Sequence, residues 1–199
     1  MASDTALRGY AADAPALIDA YEALDPAILY AAVADLFPQA PSTIVDIGAG
    51  TGRDAAWLAR VGHAVTAVEP VAAFRAAGMR RHVGVGIAWL DDRLPQLRRL
   101  GGRYDVALLS GVWQHLDDDT RAVAIRRLAG LLVDGGIVIL SIRHGPGAPS
   151  RPVFPCDVEA TLAAATAVGF TLARRREAES LQPANRTAGV CWTWLALRR

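Results

Sequence analysis

The chain has 199 residues, 52% of them apolar, and a net charge of +1. Matched charge leaves no global electrostatic footprint for nucleic acid or an anionic membrane surface. Two cysteines far apart, Cys156 and Cys191, lack metal-ligand spacing, and no run of about eighteen apolar residues suggests a membrane span.

The expectation is a protein of the reducing cytoplasm. The start, MASDTALRGYAADAP, has no apolar stretch flanked by basic residues and does not read as a signal peptide. Length and the absence of a linker or repeat predict one domain over residues 1–199.

Residues 8–36 read as two helical pieces. Leu17, Ile18 and Tyr21 mark the first. Asp25-Pro26 starts the second, whose apolar stripe is Ile28, Leu29, Val33, Leu36 and Phe37. Pro38 and Pro41 close it, and Ile44, Val45 and Ile47 form a buried strand. A turn follows in which Gly48, Gly50 and Gly52 alternate, then a helix over 53–61. Without side chains at those positions a ligand can approach the backbone. Asp46 sits toward the carboxyl end of the strand, where open α/β sheets hold ligands. About twenty residues on, TAVEP repeats the pattern of an apolar strand ending in an acid, Glu69, suited to a ribose.

A dinucleotide fingerprint would place its third glycine at position 53, which is Arg53. The D-x-G-x-G-x-G of Asp46, Gly48, Gly50 and Gly52 instead resembles motif I of the class I S-adenosylmethionine-dependent methyltransferases. The resemblance runs over about 21–142. It implies a Rossmann-like, seven-stranded, mostly parallel sheet with helices on both faces and an antiparallel C-terminal strand. It divides the chain into a helical lid (1–40), a cofactor core (41–142) and a substrate-side loop with C-terminal hairpin (143–199). Lid residues nearest the site would be Tyr10, Tyr21 and Glu22, with Tyr21 reading equally as a core aromatic.

Downstream, 71–81 reads as a helix and 87–90 as a short strand ending in Asp91-Asp92. By the resemblance, Leu90 and Asp91 meet the adenine, with Asp92 the near alternative. The next strand, 104–110, has Asp105 at its amino end, away from the ligand edge. Ser110, Trp113 and His115 follow it on the ligand side. Asp117, Asp118 and Asp119 cap a helix over 120–132, with Arg121, Arg126 and Arg127 outward. Asp134-Gly135-Gly136 turns into a strand over 137–142, as in the resembled family. The Pro- and Gly-rich 143–155 is a loop, 157–168 a helix, and 170–176 and 189–197 the last strands, joined by a loop over 180–188.

The resemblance implies S-adenosylmethionine as cofactor, held by Asp46, Gly48, Ala49, Gly50, Gly52, Glu69, Pro70, Leu90, Asp91, Ser110 and Tyr21. Asp46 either meets the donor's amino group or supports the glycine turn. His115 and His144 are candidate bases for an O or N acceptor, each with a structural reading beside it, while His63 and His82 fall in turns at the opposite edge. Tyr10, Trp113 and Arg143 are candidate acceptor contacts, Arg143 through a guanidinium suited to a carboxylate. No metal site is expected. Absence of an Asn/Asp-Pro-Pro-Tyr run and of paired cysteines leaves a small-molecule acceptor in front. A non-catalytic cofactor-binding partner or sensor is the alternative; a nicotinamide reductase follows, weakened by Arg53 and the lack of a Tyr-x-x-x-Lys pair.

Overall fold

A computed structural model describes residues 2–199, with side chains from Asp4 onward. Seven strands form one sheet in the order β3-β2-β1-β4-β5-β7-β6. They are β1 (Thr43–Ile47), β2 (Ala64–Val68), β3 (Ile87–Leu90), β4 (Tyr104–Leu109), β5 (Leu132–His144), β6 (Thr171–Glu179) and β7 (Cys191–Arg198). β7 runs antiparallel to both neighbours, and β1 to β5 are mutually parallel. The expected fold class is therefore present.

Central strands are apolar on both faces, so alternate residues enter different cores. Val106, Leu108, Ile137, Ile139, Trp194 and Ala196 face one core, where Tyr30 stacks on Trp57 at 5.7 Å between ring centroids. Ala107, Leu109, Val138, Leu140, Leu195 and Leu197 face the other, against α5 (Asp118–Leu131) and α6 (Val158–Ala167). Asp117 caps α5 through the Thr120 N–H at 3.0 Å, and Asp157 caps α6 through the Glu159 N–H at 2.8 Å.

The amino-terminal region differs from its expected form. α1 spans Ala2–Glu22 with exposed Pro15 inside it, six residues longer than the first predicted piece at its start. Its inward positions Leu7, Tyr10, Ala14, Leu17, Ile18 and Tyr21 recur at helical spacing and pack on Val71 and Phe74. That contact is reason enough to hold a helix through an internal proline. The second piece is not one helix. α2 covers only Pro26–Leu29, and a 3-10 turn covers Ala34–Leu36. Tyr30 and Val33 both turn fully into the core, and the Tyr30 hydroxyl donates to Asp54 at 2.7 Å. Burying both residues outweighs continuing the helix.

Other boundaries shift for similar reasons. The Gly135-Gly136 turn lies inside β5 as an irregularity, with Tyr104 opposite Leu132 but Val106 opposite Ile137. β5 also continues through Arg143 and His144, paired with Trp192 and Cys191, so neither lies on a loop. The 180–188 loop contains a short helix, α7 (Pro183–Thr187). Arg121, expected outward, is buried. It donates to the carbonyls of Trp113, Phe154 and Pro155, satisfying an irregular segment that has few partners of its own.

Helices α3 (Arg53–Arg60) and α4 (Ala72–Arg81) flank the glycine turn, and Trp89 of β3 is wedged between them. A Cβ on Gly78 would lie 2.4 Å from the Thr51 carbonyl oxygen and 2.4 Å from the Trp89 ring. Alanine would gain up to about 1 kcal/mol of helix propensity. The clash with backbone has no rotamer escape and costs about 1–3 kcal/mol. Gly78→Ala is therefore expected to lower stability in chemical denaturation; a rise would refute the tight packing.

Candidate functional site

One cavity of about 530 Å³ opens at the carboxyl edge of β1, β2 and β4, within the roughly 300–1,000 Å³ typical of small-molecule sites. Its floor is the turn Gly48–Thr51 together with Ser110 and Gly111 after β4; α1 covers it, and β7 and the segment before α7 close its far end. This is the topological switch point, since β1 has β2 on one side and β4 on the other.

The three turn glycines have different duties. All have positive φ, at 75° for Gly48, 56° for Gly50 and 76° for Gly52. A Cβ on Gly48 would strike Val112 at 2.4 Å, and one on Gly52 would strike Trp89 at 2.5 Å. At Gly50 the nearest atom is Tyr21 Cδ2, at 3.9 Å. Gly50 is thus the bare backbone facing the cavity. Gly52 does not line it; its missing side chain makes room for Trp89.

Glu69 follows β2 and is 5% exposed. Its Oε2 accepts from the Gly50 N–H at 2.8 Å and its Oε1 from the Val71 N–H at 2.7 Å. Burial raises its carboxyl to about 7, against the stabilising pull of those two N–H groups. Each oxygen retains capacity for one more donor, so the carboxylate suits a vicinal diol. Ala49, Pro70 and Ser110 also line the cavity, beside the apolar wall of Val71 and Phe74.

Arg53 holds the end of α1. It pairs in two-pronged fashion with Asp54, at 2.7 and 2.8 Å, and donates to the Tyr21 carbonyl at 2.9 Å. The residue that breaks the dinucleotide fingerprint is thereby the link between the turn and α1. Further ion pairs tie α1 to the body, Asp4 to Arg93, Asp13 to Arg151 and Asp19 to Arg81, and Glu22 Oε1 lies 3.4 Å from His82 Nε2.

α1 places Tyr10 against His115. The Tyr10 hydroxyl is 2.9 Å from His115 Nε2, and His115 Nδ1 is 2.9 Å from the Pro152 carbonyl oxygen. A carbonyl only accepts, so Nδ1 carries the proton and Nε2 accepts from Tyr10. The Gln114 amide nitrogen, 3.3 Å from the same Nε2, reinforces that tautomer. Burial holds His115 below the ordinary imidazole value, helped by the charges of Arg143 and Arg151. Burial likewise raises the Tyr10 phenol well above its ordinary value. The pair is a neutral base behind a neutral hydroxyl.

Several predicted site residues stand elsewhere. Asp46 is 2% exposed, outside the cavity lining, and one of its oxygens has no hydrogen-bond partner. Burial and the neighbouring Asp54 charge push its carboxyl well up. Asp91 points away to pair with Arg75 at 3.0 Å, and Leu90 joins the apolar core. Asp92 lines the cavity instead, its carboxylate accepting from the N–H groups of Arg93, Arg99 and Leu100. Trp113 is buried, with its ring nitrogen 3.4 Å from Thr161 Oγ1. His144 is off the lining too, donating from Nε2 to Thr193 Oγ1 at 2.8 Å, which in turn donates to Glu177. Its extension of β5 aims it at β7 and β6. His63 accepts from the Ser42 N–H at 3.2 Å and holds a turn, as its position suggested.

The sequence profile of the methyltransferase domain family matches residues 19–192. The chain belongs to this methyltransferase family. Its strand order, glycine turn and antiparallel β7 are those of the class I S-adenosylmethionine-dependent fold. Among solved methyltransferases, the 1,6-didemethyltoxoflavin-N1-methyltransferase of Burkholderia thailandensis is 26% identical, with 87% of this chain and 75% of that one covered at a TM-score of 0.67. It was solved with 1,6-didemethyltoxoflavin and S-adenosylhomocysteine bound. A methyltransferase from Mesorhizobium loti is 21% identical, covering 88% and 99% at 0.64. Magnesium protoporphyrin IX methyltransferase of Synechocystis PCC 6803 is also 21% identical, covering 87% and 76% at 0.67. These last two likenesses speak to the fold alone. No curated protein sequence matches the methyltransferase chain significantly.

Reading the sequence missed Arg53, Val71, Phe74, Asn185 and Gln182 as parts of this site. Val71 and Phe74 had a signal, since they open the helix directly after Glu69-Pro70 at a spacing of three. Arg53 was visible only as a misfit glycine, and nothing local marks Asn185 or Gln182.

Proposed function

We propose that this methyltransferase binds S-adenosylmethionine across Gly48–Gly50 and transfers its methyl group to an O or N atom of a small-molecule acceptor. The observation that carries the reading is the buried Glu69 carboxylate, bonded to the N–H of Gly50, the turn glycine whose missing side chain leaves open space over the cavity floor. When bound, the cofactor supplies an activated methyl on a sulfonium, which leaves as a neutral thioether as the new carbon–acceptor bond forms.

The chain's own work is positioning, exclusion of water and handling one proton. Glu69 would accept from the ribose hydroxyls. Val71, Phe74, Tyr21 and Leu94 would provide apolar cover. The acceptor's proton would pass to Tyr10 Oη while the Tyr10 proton moves to His115 Nε2. Pro152 holds the Nδ1–H throughout. Since α1 supplies Tyr10, the base would be complete only with the lid closed.

Calorimetric titration with S-adenosylmethionine, S-adenosylhomocysteine and reduced nicotinamide cofactor in parallel tests this. The first two are expected to bind and the third not. Below about pH 7 the ligand-free Glu69 keeps a proton. Hydroxyl donors favour its ionised form, so binding expels that proton and affinity rises from about pH 6 to about pH 8. A pH-independent affinity would remove Glu69 from the ribose; no binding of either sulfur ligand would end the methyl-transfer reading.

A further inference from the structure

The end of the cavity away from the glycine turn is built around a cation without a counter-ion. Arg143, next to last in β5, lies opposite Trp192 of β7, with its guanidinium carbon 5.6 Å from the indole centroid. Its Nε and Nη2 donate to the Pro146 carbonyl at 3.2 and 2.6 Å, and Nη2 also reaches Asn185 Oδ1 at 3.2 Å. Nη1 has no partner among the described residues. The other cavity arginines are neutralised: Arg53 pairs with Asp54 at 2.7 Å and Arg93 with Asp4 at 2.5 Å. Arg143 forms no ion pair among the described residues.

The polar groups around it are sorted by type. Asn185 Oδ1 is taken by Arg143, and Gln182 Oε1 accepts from the Asn185 amide at 2.7 Å. One lone pair of each oxygen is engaged, while the N–H groups of Arg143 Nη1 and of the Gln182 amide remain free. An unpaired guanidinium with a further free amide donor beside it asks for anionic oxygens, and the planar fork of arginine matches a carboxylate best. Glu179 lines the same mouth but is exposed, where solvent and salt screen its charge.

The remainder of this end is apolar. Trp192 lies across the bare backbone of Gly111, where a Cβ would meet the indole at 3.9 Å. Leu29 and Leu181 line the cavity with it. Gly111 directly follows Ser110 at the β4 edge, so this surface leads from Arg143 back toward Tyr10 and His115.

We infer that the methyl acceptor is a carboxylic acid, its carboxylate on Arg143 and its apolar body on Trp192. The inference rests on the methyl-transfer reading above and names the substrate class that site would take. Holding the acid at Arg143 directs the nucleophilic end of the molecule toward the Tyr10–His115 pair.

The test is titration of the protein saturated with S-adenosylhomocysteine, using benzoate and its neutral isostere benzamide as fragment probes. Benzoate is expected to bind at least about tenfold more tightly, the scale of one charge-assisted hydrogen-bonded contact. Arg143→Met should erase that preference and Arg143→Lys should keep part of it, both with unchanged affinity for S-adenosylhomocysteine. Equal binding of the two probes by the wild-type protein, or no binding of benzoate, overturns the proposal without recourse to any variant. Loss of S-adenosylhomocysteine affinity in a folded Arg143→Met or Arg143→Lys protein also overturns it, by placing Arg143 on the cofactor. Failure of the wild-type protein to bind S-adenosylhomocysteine is a different result, and removes the reading on which the proposal stands.

Discussion

Replacing Glu69 with alanine is expected to weaken S-adenosylhomocysteine binding by about 10–100-fold, the equivalent of roughly 1.5–3 kcal/mol for hydrogen bonds to a charged group. Two losses combine. The ribose would lose its acceptor, and the N–H groups of Gly50 and Val71 would lose the carboxylate that now satisfies both. The second loss loosens the glycine turn even before ligand arrives, because Gly50 at a φ of 56° has no side chain to restrain it. Glu69→Gln separates the two effects. Its amide keeps one acceptor oxygen but no charge, so it should bind with intermediate affinity and lose the rise with pH. Calorimetry on the three proteins reads both quantities. Unchanged affinity in Glu69→Ala would dissociate Glu69 from the cofactor altogether.

The second large effect concerns turnover. His115→Ala is expected to reduce the rate by about 10²–10⁴-fold, the range for a positioned general base, with cofactor affinity nearly unchanged. Tyr10→Phe should cost a large part of the same factor, since the phenylalanine keeps the ring contact with Phe74 but breaks the hydrogen bond to Nε2. The double variant should be little worse than His115→Ala, because two members of one relay do not contribute additively. The pH profile adds a sign. Burial depresses the His115 value, so the base is already neutral at neutral pH. With the cofactor saturating, activity should be flat there and fall only in acid, below the ordinary imidazole range. A merely structural His115 would give lower stability and weaker lid closure with no change in the acid limb. Single-turnover measurements with an identified acceptor, alongside melting curves, distinguish the two.

How much was legible in the sequence follows from the range of each interaction. The glycine turn, the strand-end Glu69 and the order of elements rest on contacts between near neighbours in sequence or on strand periodicity. Motif resemblance then extended to the sheet. Arg53 carried a local signal of exclusion, yet its role in clamping Tyr21 depends on a chain segment 32 residues earlier. The same holds for Tyr10 and His115, separated by 105 residues and joined by one hydrogen bond.

Where two similar residues stood side by side, only packing separated them. Asp91 and Asp92 are chemically equivalent in the sequence, but β3 ends so that Asp91 meets Arg75 outside and Asp92 turns under the cavity. By sequence alone, His115 and His144 both follow parallel strands at the ligand edge. Two more residues of pairing between β5 and β7 turn His144 toward Thr193, while the irregular chain after β4 leaves His115 facing the lid. The sequence by itself determined the class of fold, the glycine turn and the acid after β2, because strand alternation and backbone conformational demands act locally. Tertiary structure alone decided which acid, which histidine and which arginine face the cavity, because a side chain's direction is set by the partners that long-range packing brings to it.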